Sequence, residues 1–260
     1  MWDDPLERFL ERAKGDGFDA VEVYLPAQPE PAAEIASRAR DHGLRLVAQI
    51  TTDGDTPDEH IASMEARFER AVQAEPLLVN SHTGKDLFSF ADNLRIFQRA
   101  CELSEQAGIL FTQETHRGRM TGQGPMTAAL LEALPELRLN ADFSHWFCVH
   151  ESDLRNQEET VELAVRRASH VHARVGFAEG PQVPDPLAPA FREWTDRHVE
   201  LWQRIVEARV EAGAEFLTIA PEFGPPLYMP LDPVTGRPLA DAWEVNVRFK
   251  DYLKTVLDPA

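Results

Sequence analysis

Helix-like and strand-like segments alternate from one end of this chain to the other, and no other feature of it limits the possible folds so strongly. Runs at 18–25, 44–50, 77–82, 109–114, 138–143, 169–175 and 216–222 read as seven strands. Amphipathic segments such as "EPAAEIASRARDHG" and "PDEHIASMEARFERAVQAE" separate them. Several of these segments stop at a glycine, as "DHG" and "EQAG" do, which is how helices commonly end. Strand–helix–strand repetition implies parallel pairing through right-handed crossovers, an α/β architecture with helices covering the sheet. A (β/α)8 barrel has eight strands. Here the chain opens on a helical pattern, "DDPLERFLERAKGDG", so the expectation is a barrel that lacks its first strand, or one that takes it from a segment upstream of Met1. A doubly wound open sheet is the rival, but no G-x-G-x-x-G loop follows any of the strands. Residues 1–260 are expected to form one domain.

The strand ends carry the chemistry. "ILFTQETH" ends in Glu114 with His116 beyond it, "LNADFSHW" brings Asp142, His145 and Trp146, "HVHARVG" brings His172 and Arg174, and "APEFG" brings Glu222. Asn80 and His82 occupy the same place on the third strand. Side chains alternate across a strand. With Glu114 facing into the barrel, Leu110 and Thr112 face in as well, and Ile109 and Phe111 face the helices. A lone carboxylate at a strand end is usually a cap or a solvated loop residue. Glu114, Asp142, His172 and Glu222, at four strand ends that a barrel gathers at one mouth, read instead as a metal site. Three carboxylates and one imidazole suit a hard divalent ion, Mn²⁺ first, with Mg²⁺, Co²⁺ or Zn²⁺ as alternatives. The ion would also remove the repulsion among the carboxylates. His145 is expected to bind substrate or orient a ligand. His170, two residues before His172, reads as a hydrogen-bonded core histidine. Trp146 either stacks on a sugar face or caps the core.

Composition removes other classes. Asp and Glu number 44 against 26 Lys and Arg, a formal charge of −18, which repels a phosphate backbone and argues against nucleic acid. The two cysteines, Cys101 and Cys148, are too few for a disulfide framework. The start of the chain has no apolar signal core, and no apolar run is long enough to span a bilayer. A cytoplasmic protein with no membrane or nucleic-acid partner is expected, with homo-oligomerisation left open. The Pro/Gly-rich stretch "GFAEGPQVPDPLAP", 176–189, follows the His172 strand and is expected to fold over the mouth as a stiff loop.

The ordered blocks "GFDAVEVYL", "ILFTQETH", "LNADFSH", "HVHARVG" and "APEFG" resemble the xylose isomerase-like TIM-barrel superfamily of sugar phosphate isomerases and epimerases, in particular its ketose 3-epimerase-like branch. The resemblance runs from Gly17 to Glu222. It implies one divalent metal held by Glu114, Asp142, His172 and Glu222, with Glu114 and Glu222 also serving as the acid/base pair. It implies substrate contact through His145 and an inward polar position for Glu22; His82, His116, Trp146 and Arg174 complete the candidate substrate contacts. The branch places an arginine six residues after the metal histidine, where this chain has Ala178, and Arg174 is a candidate substitute. The activity so implied is isomerisation or epimerisation of a sugar through an enediolate. Dehydratase or lyase chemistry on an inosose or 3-oxo-glycoside is the alternative from the same site. An abasic-site endonuclease and a catalytically inactive metal-binding barrel are more distant readings.

Overall fold

A computed structural model describes residues 5–257 of the chain. These form seven strands and nine α-helices in strict alternation through the first four strands. Neighbouring strands pair in chain order, β1 to β4 and then β5 to β7. The chain divides into two compact units. One holds the residues up to Glu114 with 118–120 and 132–138; the other holds 115–117, 121–131 and the residues from 139 onward.

The first unit contains α1 (Leu6–Gly15), β1 (Ala20–Tyr24), α2 (Ala32–Asp41), β2 (Arg45–Thr51), α3 (Pro57–Val72), β3 (Val79–His82), α4 (Phe90–Ala107) and β4 (Phe111–Glu114). Its four strands pair in parallel, with Glu22 beside Val47, Gln49 beside Asn80 and Asn80 beside Thr112. Local sequence sets the boundaries. At α3 the Thr56 side chain accepts from Glu59 N while the Glu59 carboxylate takes the Thr56 N–H, and Pro57 fills the first helical position, a reciprocal cap that satisfies two donors. The α4 segment reads as helical from Lys85 in sequence, but the helix begins at Phe90. Ser89 intervenes as an N-cap that accepts from Asp92 N. Gly108 ends α4 at φ +65°, a left-handed conformation that favours glycine. Phe111 packs on Phe68 of α3 at 4.6 Å between ring centres, so alternate residues of β4 face the helices as the pattern requires.

The second unit contains α5 (Gly124–Ala133), β5 (Arg138–Ala141), α6 (Phe143–Val149), α7 (Glu158–Arg167), β6 (Ala168–Ala173), α8 (Arg192–Glu211), β7 (Thr218–Pro221) and α9 (Ala242–Val256). The last two residues of α5 and the first of β5 belong to the first unit. β5, β6 and β7 pair in parallel, with Asn140 beside His170 and His172 beside Ala220. Where the sequence reads as strand to residue 143, β5 ends at Ala141 and Asp142 caps a short helix. Its Oδ1 accepts from Ser144 N at 3.0 Å. An aspartate is among the best N-caps, and this one turns the chain into α6 at the strand end. Among the described residues no helix is long and apolar enough to cross a membrane. Both cysteines are free and half-buried, and burial pushes the Cys101 thiol up to about 12.

Candidate metal centre

In the first unit the polar face of the sheet leads to Glu114. Its side chain is buried, and its Oε2 accepts from His82 Nε2 at 2.8 Å and from Asn80 Nδ2 at 3.2 Å. The same Asn80 amide donates to Glu22 Oε1 at 3.0 Å, so one side chain ties two carboxylates together. Thr112 Oγ1 donates to Asn80 Oδ1 at 3.4 Å. Thr112 and Glu114 therefore lie on the face opposite Phe111, as side-chain alternation demands. Arg119 belongs to this unit and had no motif to announce it. It donates to the carbonyls of Thr52 and Gly84 at 3.2 and 3.0 Å. Burial pulls its guanidinium below the ordinary arginine value, against the opposing attraction of Asp53 and Glu114.

In the second unit three strand ends converge. Asp142, His172 and Glu222 each offer a ligand atom, and these atoms lie within 4.8 Å of one another. Asp142 and His172 are buried, and the Glu222 side chain is 25% exposed. His172 Nδ1 stands 3.0 Å from Glu222 Oε2. Asp142 is held by its own helix through Ser144 N and Ser144 Oγ on Oδ1 and by Arg174 on Oδ2. Thr115 Oγ1 donates to Asp142 O and accepts from Asp142 N, both at 2.8 Å. Hydrogen bonds of this kind fix a ligand's orientation and raise the precision of a metal site.

Around this cluster lie several of the residues the sequence singles out. His145 Nε2 accepts from Arg174 at 2.9 Å, and its ring lies 4.1 Å from that of His116. His116 Nε2 is 3.4 Å from the Tyr228 hydroxyl. Tyr228 follows Glu222 in the loop after β7 and was not marked in the sequence. Its ring carries the guanidinium of Arg174 at 4.4 Å and that of Arg117 at 5.2 Å. Burial raises its phenol pKa while the two arginines oppose that shift. Trp146 is fully buried against Phe143, with its Nε1–H donated to Thr121 O at 2.9 Å. His170 is buried too, with Nδ1 2.7 Å from Thr218 Oγ1 and 3.0 Å from Thr218 O.

The segment after Glu222 is gripped by two amides. Asn246 on α9 accepts from Phe223 N at 2.7 Å and donates to Phe223 O at 3.0 Å. Gln182 accepts from Gly224 N at 2.8 Å and donates to Gly224 O at 3.0 Å. Gln182 sits in the loop that follows β6, so the connection after the His172 strand holds the chain beside Glu222. The loop is itself tied down, by Val183 N to Val175 O at 2.9 Å and by Thr195 Oγ1 to Pro186 O at 2.7 Å. Its start presses on α6. A Cβ on Gly176 would stand 2.8 Å from Ser144 O, so that close approach needs glycine. Gly176 N–H points to His198 Nε2 at 3.4 Å.

Two carboxylates and a neutral imidazole are the donors of a hard or borderline divalent ion. Asp142 retains acceptor capacity beyond the bonds it makes, since a carboxylate has about four lone-pair sites. The second-unit cluster therefore fits a divalent metal, with Asp142, His172 and Glu222 as candidate ligands.

Comparison with known proteins agrees with this architecture. The family model of the xylose isomerase-like TIM barrel matches residues 10–203. A xylose isomerase-like TIM-barrel protein from Mycobacterium smegmatis, solved in complex with magnesium, superposes with a TM-score of 0.65 at 15% identity, covering 98% of this chain and 90% of that one. A D-psicose 3-epimerase solved with D-fructose gives 0.63 at 15% identity over 98% and 95%. Endonuclease IV from Thermus thermophilus gives 0.60 at 14% identity over 96% and 94%. At such identities the likeness is one of fold. No curated protein matches by sequence.

Proposed function

Because the chain belongs to the xylose isomerase-like TIM-barrel family, we propose that it is a divalent-metal-dependent sugar isomerase or epimerase, acting in the cytoplasm on a small sugar or sugar-derived substrate. The observation that carries the reading is the convergence of Asp142, His172 and Glu222 within ligand distance of one another. Glu114, buried at the end of β4 and oriented by His82 and Asn80, is proposed as the fourth ligand, with residues 1–260 working as one domain. Mn²⁺ is the first choice of ion. When bound, it would supply Lewis acidity at the substrate's carbonyl and hydroxyl oxygens.

The chain's own residues do the rest. Glu114 and Glu222 are the proposed acid/base pair: one takes the proton from the carbon next to the carbonyl and the other returns it. Two carboxylates are needed because the planar enediolate must be reprotonated on a different face or a different carbon. His82 and Asn80 hold Glu114 by its Oε2, and the clasp of Gln182 and Asn246 holds the backbone that carries Glu222. His145, His116 and Arg174 offer polar contacts to sugar hydroxyls, and Tyr228 joins them. The formal charge of −18 counts against an endonuclease acting on a phosphate backbone.

The test is a screen of ketoses, inososes and 3-oxo-glycosides in deuterated water, read by mass spectrometry. The reading expects deuterium on a carbon of recovered substrate or product. Turnover without carbon-bound deuterium would replace proton transfer by a hydride shift or hydrolysis. Loss of a hydroxyl or glycosyl group after exchange would identify the lyase branch.

A further inference from the structure

Arg174 stands two residues beyond His172 and is 2% exposed. Its Nη2 touches three atoms of kinds that bind metals. It is hydrogen-bonded to Asp142 Oδ2, lies 2.9 Å from His145 Nε2 and lies 3.4 Å from Glu222 Oε2. A guanidinium only donates, so His145 Nε2 must accept, which leaves that imidazole neutral with its proton on Nδ1. Two carboxylate oxygens and a neutral imidazole nitrogen thus converge on one cationic nitrogen. That set is what a divalent ion collects. Two of its members, Asp142 and Glu222, are shared with the His172 cluster.

The rest of the side chain is fixed in place. Arg174 Nε donates to Ser144 Oγ at 3.1 Å, and Ser144 Oγ donates in turn to Asp142 Oδ1. The face of the guanidinium rests on Tyr228. Its Nε and Nη2 are both engaged by neighbouring protein atoms. Its charge offsets two carboxylates that would otherwise repel across a largely dry space.

We propose that Arg174 is a built-in cation standing where a second divalent ion would bind, and that it keeps the centre mononuclear. The proposal rests on the metal-dependent reading above and adds the reason for a stoichiometry of one. A guanidinium and a metal ion cannot share the Asp142–His145–Glu222 position, because the Nη2 already fills it. Without the arginine side chain the three ligands would be left facing one another with a net negative charge, which a second ion would neutralise.

The test is metal stoichiometry, measured without any substrate. Chelator-treated protein is re-equilibrated with Mn²⁺, and bound metal is counted by elemental analysis and calorimetric titration. Wild type should take one equivalent, Arg174→Ala two, and Arg174→Lys, which keeps a positive charge, one. Electron paramagnetic resonance of the two-ion variant should show a spin-coupled pair. His145→Ala in the Arg174→Ala background should return the count to one, placing the second ion. Arg174→Gln keeps an N–H for Asp142 without the charge. It should also take two ions, and it carries the test if Arg174→Ala does not fold. One equivalent in wild type and still one in both uncharged variants overturns the proposal and leaves the metal-dependent reading intact. Two equivalents in wild type overturns it as well. No metal in wild type but one in the uncharged variants would sink the four-ligand centre while supporting the role of Arg174. No metal in any of them would end both.

Discussion

His198 on α8 makes the stability of the second unit depend on pH in a calculable way. The ring is fully buried, with Nδ1 2.8 Å from Trp194 O, Nε2 facing the Gly176 N–H, and its centre 4.0 Å from the Phe147 ring centre. The carbonyl requires a proton on Nδ1, and the Gly176 N–H requires a lone pair on Nε2, so the neutral form is the one that fits. Burial lowers the pKa from 6.5 to about 4, the Trp194 carbonyl opposing and Arg197 reinforcing the shift. With the folded pKa below the unfolded one, the unfolded chain binds more protons between those values. The contribution to stability is complete above pH 6.5 and is lost as pH falls toward 4. One pKa unit is worth about 1.4 kcal/mol, so moving from about pH 7 to about pH 5 removes about 2 kcal/mol through this residue. Urea unfolding of wild type and His198→Gln at both pH values isolates the term. The glutamine does not titrate, while the carboxylates and the other histidines are common to both proteins. Wild type should lose about 2 kcal/mol more than the variant over that interval. Equal losses would show that His198 is protonated in the folded state or is not confined as described.

Gln182→Leu should lower stability by about 2–4 kcal/mol, because it leaves the buried N–H and C=O of Gly224 without their partners. Gln182→Glu should fall between the two in urea midpoint, since a carboxylate accepts from Gly224 N but cannot donate to Gly224 O. For the substrate found in the exchange screen, Glu114→Gln and Glu222→Gln should each cut turnover by about 10²–10⁴-fold. Steady-state kinetics at saturating Mn²⁺ will show it, and near-normal rates in either variant would remove that residue from the acid/base pair.

Much of the architecture was legible because repetition makes it so. Every one of the seven strand runs carries a strand, displaced by no more than a few residues at its ends, and helical periodicity located most helices. The misses have local causes. Phe143 read as the end of β5, yet a good capping aspartate starts α6 there, and Ser89 delays α4 in the same manner. Within the site, Asp142, His172 and Glu222 could be picked out because ligand-type residues recur at strand ends. Tyr228, Gln182 and Asn246 could not, since an aromatic in a proline-rich loop and two amides far apart in sequence have no pattern until the chain folds. Arg174 could be seen in the sequence, but its role could not. Whether an arginine faces a substrate or neutralises its neighbours depends on which atoms surround it.

Metal content of the purified protein and of its Asp142→Ala and His172→Ala variants tests the central claim most directly. Asp142 supplies a buried carboxylate and His172 a buried imidazole to the same cluster, so neither can be replaced from solvent. Elemental analysis after equilibration with Mn²⁺ should find one equivalent in wild type and a large loss in each variant, with circular dichroism confirming that the variants stay folded. Undiminished metal in both folded variants would contradict the account.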